Sequence, residues 1–100
     1  MRTLEKIELI YRDPKIRGGH PCIVGTGIRV LDIVRLQHYG NRGPEQIAES
    51  FSLTLAQVYT ALAYYHEHKA EIDADIREDI RIGEELKAEG FGKPENSIFP

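Results

Sequence analysis

Residues 44–68 of this 100-residue chain, PEQIAESFSLTLAQVYTALAYYHEH, predict two helices joined by a short turn. Pro44 suits the first position of a helix, because the amide hydrogen that proline lacks has no partner there. Thr54 and Gln57 have the spacing of a capping box, which predicts that the second helix begins just after Thr54. Ser52-Leu53-Thr54 is therefore the turn, and the layout is that of a helix-turn-helix.

The second helix of this pair is predicted to have one apolar and one polar face. The apolar stripe, at helical spacing, consists of Leu55, Val58, Tyr59, Leu62 and Tyr65. The outward face consists of Gln57, Thr60, Ala61, Tyr64 and His68. Because glutamine can read an adenine edge and threonine can touch a thymine methyl, we interpret Gln57, Thr60 and Tyr64 as candidate DNA contacts.

The candidate phosphate contacts lie outside that helix, whose outward face has no lysine or arginine. Neutralised phosphates supply most of the non-specific affinity for DNA, so the cations must come from elsewhere. Arg42 precedes the helix pair, Arg35 lies in an earlier helical segment, and Arg29 lies nearer the N-terminus. A homodimer would double these contacts. The alternative is that these arginines are solvated surface groups.

The residues before the helix pair predict short strands and one further helix. Lys6–Tyr11 alternates between apolar and polar residues, as a half-buried strand does. Residues 22–24 and 28–30 look extended and flank Gly25-Thr26-Gly27, which permits a tight turn with positive φ. Val30–Tyr39 returns to helical spacing. The fold class is therefore mainly α: a homeodomain-like trihelical helix-turn-helix core with a short N-terminal β arm or hairpin and a long C-terminal helix.

The C-terminal part of the chain, residues 69–90, predicts an acidic helix with one narrow apolar ridge. Three isoleucines repeat there every four residues, with aspartates beside them. Such a ridge does not form a core alone, so it requires the same domain, a second copy or another protein to pack against. The candidate partner contacts are Ile72, Asp73, Ile76, Asp79 and Ile80.

The charge of the chain is divided unevenly along its length. Residues 1–65 carry eight Lys/Arg and six Asp/Glu, a net +2, whereas residues 66–100 carry five and ten, a net −5. This division suggests a nucleic-acid face and a segment for a basic partner. The simpler alternative is a solvated acidic helix.

The composition favours a single cytoplasmic domain. No apolar run approaches the roughly 20 residues that a membrane span needs. The N-terminus places charged residues among its apolar ones and does not resemble a signal peptide. The lone cysteine, Cys22, cannot form an internal disulfide.

No motif points to an enzyme. Gly18-Gly19 lacks the Lys-Ser/Thr of a P-loop and is interpreted as a turn. His20 and Cys22 have no second pair at the spacing of a zinc site. Cys22 lies in an apolar stretch, which predicts a buried structural thiol. We therefore predict no catalytic residue, no metal and no cofactor.

The chain resembles the DUF433 family across residues 8–68. The similarity rests on DPKIRGGHPCIVGTGIRVLDIV, residues 13–34, followed by GPEQIAESFSLTLAQVYTALAYYHEH, residues 43–68. The resemblance implies a homeodomain-like trihelical fold after a β arm. It also implies a VapB-type antitoxin of a type II toxin–antitoxin pair, whose toxin resembles a PIN-domain ribonuclease. In that scheme the helix-turn-helix binds promoter DNA and the C-terminal segment inhibits the toxin.

Two functional hypotheses follow for this chain. In the first, residues 1–68 form the DNA-binding domain of a homodimeric antitoxin, residues 69–90 form a helix that binds the toxin, and residues 91–100 are a flexible tail. In the second, the protein is an adaptor that keeps the helix-turn-helix fold but does not bind DNA. The uncharged outward face of the second helix motivates this alternative.

Overall fold

The computed structural model describes residues 1–89 of the chain. The elements in this range are strand β1 (Ile10–Tyr11), strand β2 (Cys22–Ile23) and helices α1 (Val30–His38), α2 (Pro44–Phe51), α3 (Leu55–Glu67) and α4 (Lys69–Ala88). The chain separates into two compact units, residues 1–69 and the part from residue 70 onward. The predicted mainly helical fold with short N-terminal strands and a long C-terminal helix is confirmed. The predicted tail at residues 91–100 lies outside the described range.

The two strands form a small antiparallel sheet in which Tyr11 faces Cys22. β1 is much shorter than the strand predicted over Lys6–Tyr11, because only Ile10 and Tyr11 of that segment pair with β2. On its other side Cys22 makes a single bridge to Arg29, so the predicted hairpin is present only in this reduced form. Gly25, in the turn of that hairpin, has a φ of +82°, which confirms the predicted positive-φ turn.

Helices α1, α2 and α3 pack on one another around the apolar core of the first unit. The fully buried apolar side chains of this core are Cys22, Ile23, Val30, Ile33, Val34, Ile47, Val58 and Ala61. They come from β2 and from all three helices, so the strands and helices share one core. Removing this apolar surface from water is the main contribution to the stability of the unit.

The connection between α2 and α3 follows the predicted Ser52-Leu53-Thr54 turn. Ser52 ends α2 with a φ of 57° and a ψ of 44°, the left-handed conformation that commonly closes a helix. The amide of Leu53 donates to the carbonyl oxygen of Ala48 at 2.8 Å, which satisfies one of the last carbonyls of α2. Pro44 is the first residue of α2, as predicted.

The buried face of α3 differs from the predicted stripe. Its buried side chains are Val58, Ala61, Leu62 and Tyr65, at the i, i+3, i+4, i+7 spacing of a single helix face. Leu55 and Tyr59 were predicted to be buried but are 43% and 54% exposed. Ala61 was predicted to face outward and is fully buried. The helix is therefore rotated so that Ala61 faces the core. The positions of the large apolar residues in the sequence do not indicate this rotation.

Candidate nucleic-acid and partner-binding surfaces

The N-terminus of α3 is closed by the capping box that the sequence predicts. The hydroxyl oxygen of Thr54 accepts a hydrogen bond from the amide of Gln57 at 3.1 Å. The side-chain oxygen of Gln57 in turn accepts one from the amide of Thr54 at 2.8 Å. These bonds satisfy two donors that a helix start leaves without partners. Gln57, a predicted DNA contact, therefore has its carbonyl engaged in the cap and only its amide NH₂ available to donate outward.

Tyr64, another predicted DNA contact, is held between two side chains. Its hydroxyl accepts hydrogen bonds from the Nε and a terminal nitrogen of Arg12, at 3.1 and 2.7 Å. Its ring stacks on that of His68 with a centroid distance of 4.0 Å and an interplanar angle of 16°. Arg12 lies 52 residues before Tyr64, so this cluster ties the N-terminal arm to the end of α3. No local pattern in the sequence signals such a contact.

The three predicted phosphate contacts lie just before α1, within α1 and in the connection that follows it. Arg29 forms an ion pair with Asp32, with one terminal nitrogen 2.9 Å from Oδ1 and Nε 3.2 Å from Oδ2. Its charge is therefore largely balanced at the start of α1. Arg35 is half-buried on α1, whereas Arg42 is exposed between α1 and α2. Of the three, Arg42 is the one with an exposed side chain.

The exposed side chains of α3 from Leu55 to Ala63 are apolar. Thr60, the remaining predicted DNA contact, is half-buried. The exposed side chains of the helix include Leu55, Ala56, Tyr59 and Ala63. Exposed large apolar groups one turn apart are typical of protein-binding surfaces. Helical periodicity does not indicate this surface, because it predicts that Leu55 and Tyr59 belong to the core.

A shallow groove of about 430 Å³ lies between the outer face of α1 and the end of α2. Its lining residues are Asp32, Arg35, Leu36, Tyr39, Gly40 and Phe51. This lining combines apolar side chains with one acidic and one basic residue, and it can accommodate part of a peptide. Leu36 and Tyr39 are apolar residues of the helix predicted over Val30–Tyr39, but no pattern within that helix indicates that Phe51 of α2 lies beside them.

The predicted partner contacts on α4 differ in accessibility. Ile72 and Ile76 are 1% and 3% exposed, so almost none of their surface is available to a partner. Asp73, Asp79 and Ile80 are half-buried, and both aspartates make polar contacts within the chain. The role of these five residues stays a prediction. The exposed large apolar residues of α4 are instead Ile82 and Leu86, at 44% and 45%.

Arg81 forms ion pairs with two acidic residues in the second half of α4. Its guanidinium donates to Glu78 at 2.5 Å and to Glu85 at 2.5 Å. The hydrogen bond from Arg81 lowers the pKa of the Glu78 carboxyl below its ordinary value, and the same contact raises the pKa of Arg81. All three side chains are more than half exposed. Because they are exposed, these ion pairs contribute little to the stability of the helix.

Cys22 lies in the core, where its thiol has a structural role. Its side chain is 0% exposed, and its Sγ lies 3.4 Å from the carbonyl oxygen of His20. Burial raises the pKa of the thiol above its ordinary value, which disfavours the reactive thiolate. Across residues 1–89, no three His, Cys, Asp or Glu side chains are grouped so that they would hold a metal ion. Over the same range, no helix has the length and apolar character needed to cross a membrane.

Comparison with known proteins identifies one family. The family described as "Protein of unknown function (DUF433)" matches residues 10–65, more than half of the chain. The matched region begins at β1 and ends in the last turn of α3, so it covers the strands and the three helices of the first unit. No curated protein and no solved structure matches the chain.

Proposed function

The chain belongs to the DUF433 family, and on that premise we propose that it is the antitoxin component of a type II toxin–antitoxin pair. In this role the protein acts in the cytoplasm as a homodimer of VapB type. It binds the promoter DNA of its own operon through a homeodomain-like helix-turn-helix made by α2 and α3. It neutralises a PIN-like ribonuclease toxin through its acidic C-terminal helix.

The observation that carries this proposal is the division of the chain into two units of opposite charge. Residues 1–69 carry nine Lys/Arg and seven Asp/Glu, a net +2, and residues 70–100 carry four and nine, a net −5. A ribonuclease needs a basic channel for RNA, and an acidic helix is complementary to such a surface. The weakly basic unit contains the helix pair proposed to contact DNA.

The DNA-binding half of the proposal is supported by the α2–turn–α3 geometry. The capping box fixes where α3 begins, so the first turn of the proposed recognition helix is already formed in the protein without DNA. Gln57 lies in that turn and keeps two side-chain donors for a base edge. Arg42 is exposed just before α2 and can neutralise a phosphate. Dimerisation would double these few contacts.

The substitution Gln57→Glu distinguishes a loss of DNA affinity from a loss of folding stability. A glutamate at this position accepts the same hydrogen bond from the amide of Thr54 and completes the capping box. It lacks the NH₂ donors and adds a negative charge near the phosphates. We expect unchanged thermal stability and at least roughly tenfold weaker binding to the promoter fragment in a mobility-shift assay. Equal affinity for the two proteins would rule out Gln57 as a DNA contact.

The phosphate contribution is tested by a salt titration. If the Arg42 guanidinium neutralises one phosphate, Arg42→Gln should lower the slope of log affinity against log salt by about 1. Lys6→Gln removes another exposed cation, far from the helix pair in sequence, and serves as the matched control. Binding that is absent even at low salt would contradict the DNA-binding role.

The toxin-binding half is tested by co-expression. We expect the tagged full chain to purify as a stoichiometric complex with the product of the adjacent open reading frame and to suppress its ribonuclease activity on a fluorogenic RNA. Purification of the chain without that product, together with ribonuclease activity that added chain leaves unchanged, would contradict the antitoxin role.

A second candidate function, a protein–protein adaptor that does not bind DNA, is favoured by the outward face of α3. Leu55 and Tyr59 are exposed one turn apart, where a recognition helix would present polar or basic side chains. If this candidate is correct, the Leu55→Asp and Tyr59→Asp changes abolish partner binding, while the wild-type chain shows no salt-dependent affinity for the promoter.

A further inference from the structure

The exposed apolar surface of α4 lies in the second half of the helix. Ile82 and Leu86 are 44% and 45% exposed, whereas Ile72 and Ile76 in the first half are 1% and 3% exposed. Residues four apart lie one above the other on a helix, so Ile82 and Leu86 form a continuous ridge. Such pairs are the anchors by which an amphipathic helix enters a groove on another protein.

Acidic side chains border this Ile82–Leu86 ridge on both sides. The acids that lie three or four residues from one of its members are Glu78, Asp79, Glu85 and Glu89. Arg81 lies beside the ridge and holds Glu78 and Glu85 through ion pairs. Four carboxylates and one guanidinium leave the border with a net negative charge.

We infer that the Ile82–Leu86 ridge, with its acidic border, is the surface through which this chain binds a basic protein. The inference rests on the proposed function and locates toxin binding in the second half of α4, away from the buried Ile72 and Ile76. A second copy of the chain is a poor occupant, because its own border would bring like charges together. A groove with an apolar floor and basic sides would bury the ridge and form ion pairs with its acidic border.

The test uses the full chain co-expressed with the product of the adjacent open reading frame. I82D/L86D places two carboxylates on the ridge. The control, L4D/I7D, makes the same change at another exposed apolar pair, outside α3 and α4, whose members are 83% and 74% exposed. We expect I82D/L86D to weaken the complex at least about 100-fold and the control to stay within about twofold. Circular dichroism verifies that both variants keep their helices.

Each outcome distinguishes the inference from the function on which it rests. If the wild-type chain does not bind the adjacent product, both are wrong. If the complex survives I82D/L86D, or is weakened equally by L4D/I7D, the inference alone is wrong. A wild-type dimer that I82D/L86D dissociates would assign the ridge to a second copy and overturn it. Should the aspartates reduce helicity, I82A/L86A keeps the helix and is expected to lower the affinity at least about tenfold.

Discussion

Replacing Thr54 with alanine is expected to lower the free energy of unfolding of the first unit by about 1 kcal/mol. The change removes the hydroxyl oxygen that accepts from the amide of Gln57 at 3.1 Å, and it leaves the reverse bond from the amide of Thr54 to the Gln57 side chain in place. Loss of an N-cap costs roughly 0.5–2 kcal/mol. Because the bond is exposed, water can take the place of the hydroxyl as acceptor, which places the expected cost near the middle of that range and not at its upper end.

The assay for Thr54→Ala is thermal and urea unfolding followed by circular dichroism in the far ultraviolet. For a domain of this size a loss of about 1 kcal/mol lowers Tm by roughly 4–8 °C, with an unchanged urea m-value. Thr54→Ser keeps the hydroxyl and is the matched control, expected to remain within about 0.5 kcal/mol of the wild type. An unchanged Tm for the alanine variant, or an equal loss for the serine variant, would refute the assignment of stability to this cap.

Four further outcomes are expected. Gly40→Ala should cost roughly 1–3 kcal/mol in urea unfolding, since its Cβ would lie 2.8 Å from the carbonyl oxygen of the preceding helical turn. Gly83→Ala meets nothing within 4 Å and should raise the helical ellipticity, with a gain of up to about 1 kcal/mol in helix propensity; a loss would contradict the open environment of that residue. Because Arg81 lowers the pKa of Glu78, the contribution of this ion pair to the stability of α4 is present above pH 4.5. It is lost as the pH falls through the lowered pKa that Glu78 has in the folded chain. Glu78→Gln should therefore abolish the loss of ellipticity that this carboxyl causes in an acid titration. Cys22 should react with a chromogenic thiol reagent much more slowly in the folded chain than in urea, and equal rates would contradict its burial.

Local features of the fold could be predicted because their causes lie within a few residues. The Thr54 and Gln57 capping box, Pro44 at the start of α2 and the positive φ of Gly25 all follow from sterics and hydrogen bonds between near neighbours. The family resemblance was equally accessible, since its motifs are contiguous, and the match over residues 10–65 confirms it. The homeodomain-like arrangement and the DNA contacts stay predictions.

Features that depend on a distant partner could not be predicted with the same success. The strand predicted from Lys6 is reduced to two residues because its length is set by β2, which follows it at a distance in sequence. Nothing near Arg12 in the sequence indicates that it donates two hydrogen bonds to Tyr64. The candidate groove beside α1 also requires the end of α2, which periodicity within α1 does not reveal.

The sequence by itself determined where each helix begins and how charge is divided along the chain, because helix caps, turns and formal charge are properties of neighbouring residues. Only the tertiary structure decided which apolar side chains are covered. Periodicity alone favoured burial of Leu55 and Tyr59, whereas packing exposes both of them and buries Ala61. On α4 the same kind of pattern left open which isoleucines are buried, and the structure exposes Ile82 with Leu86. The physical reason is that burial of a helix face depends on which other elements pack against it, and the apolar repeat within one helix does not indicate those elements.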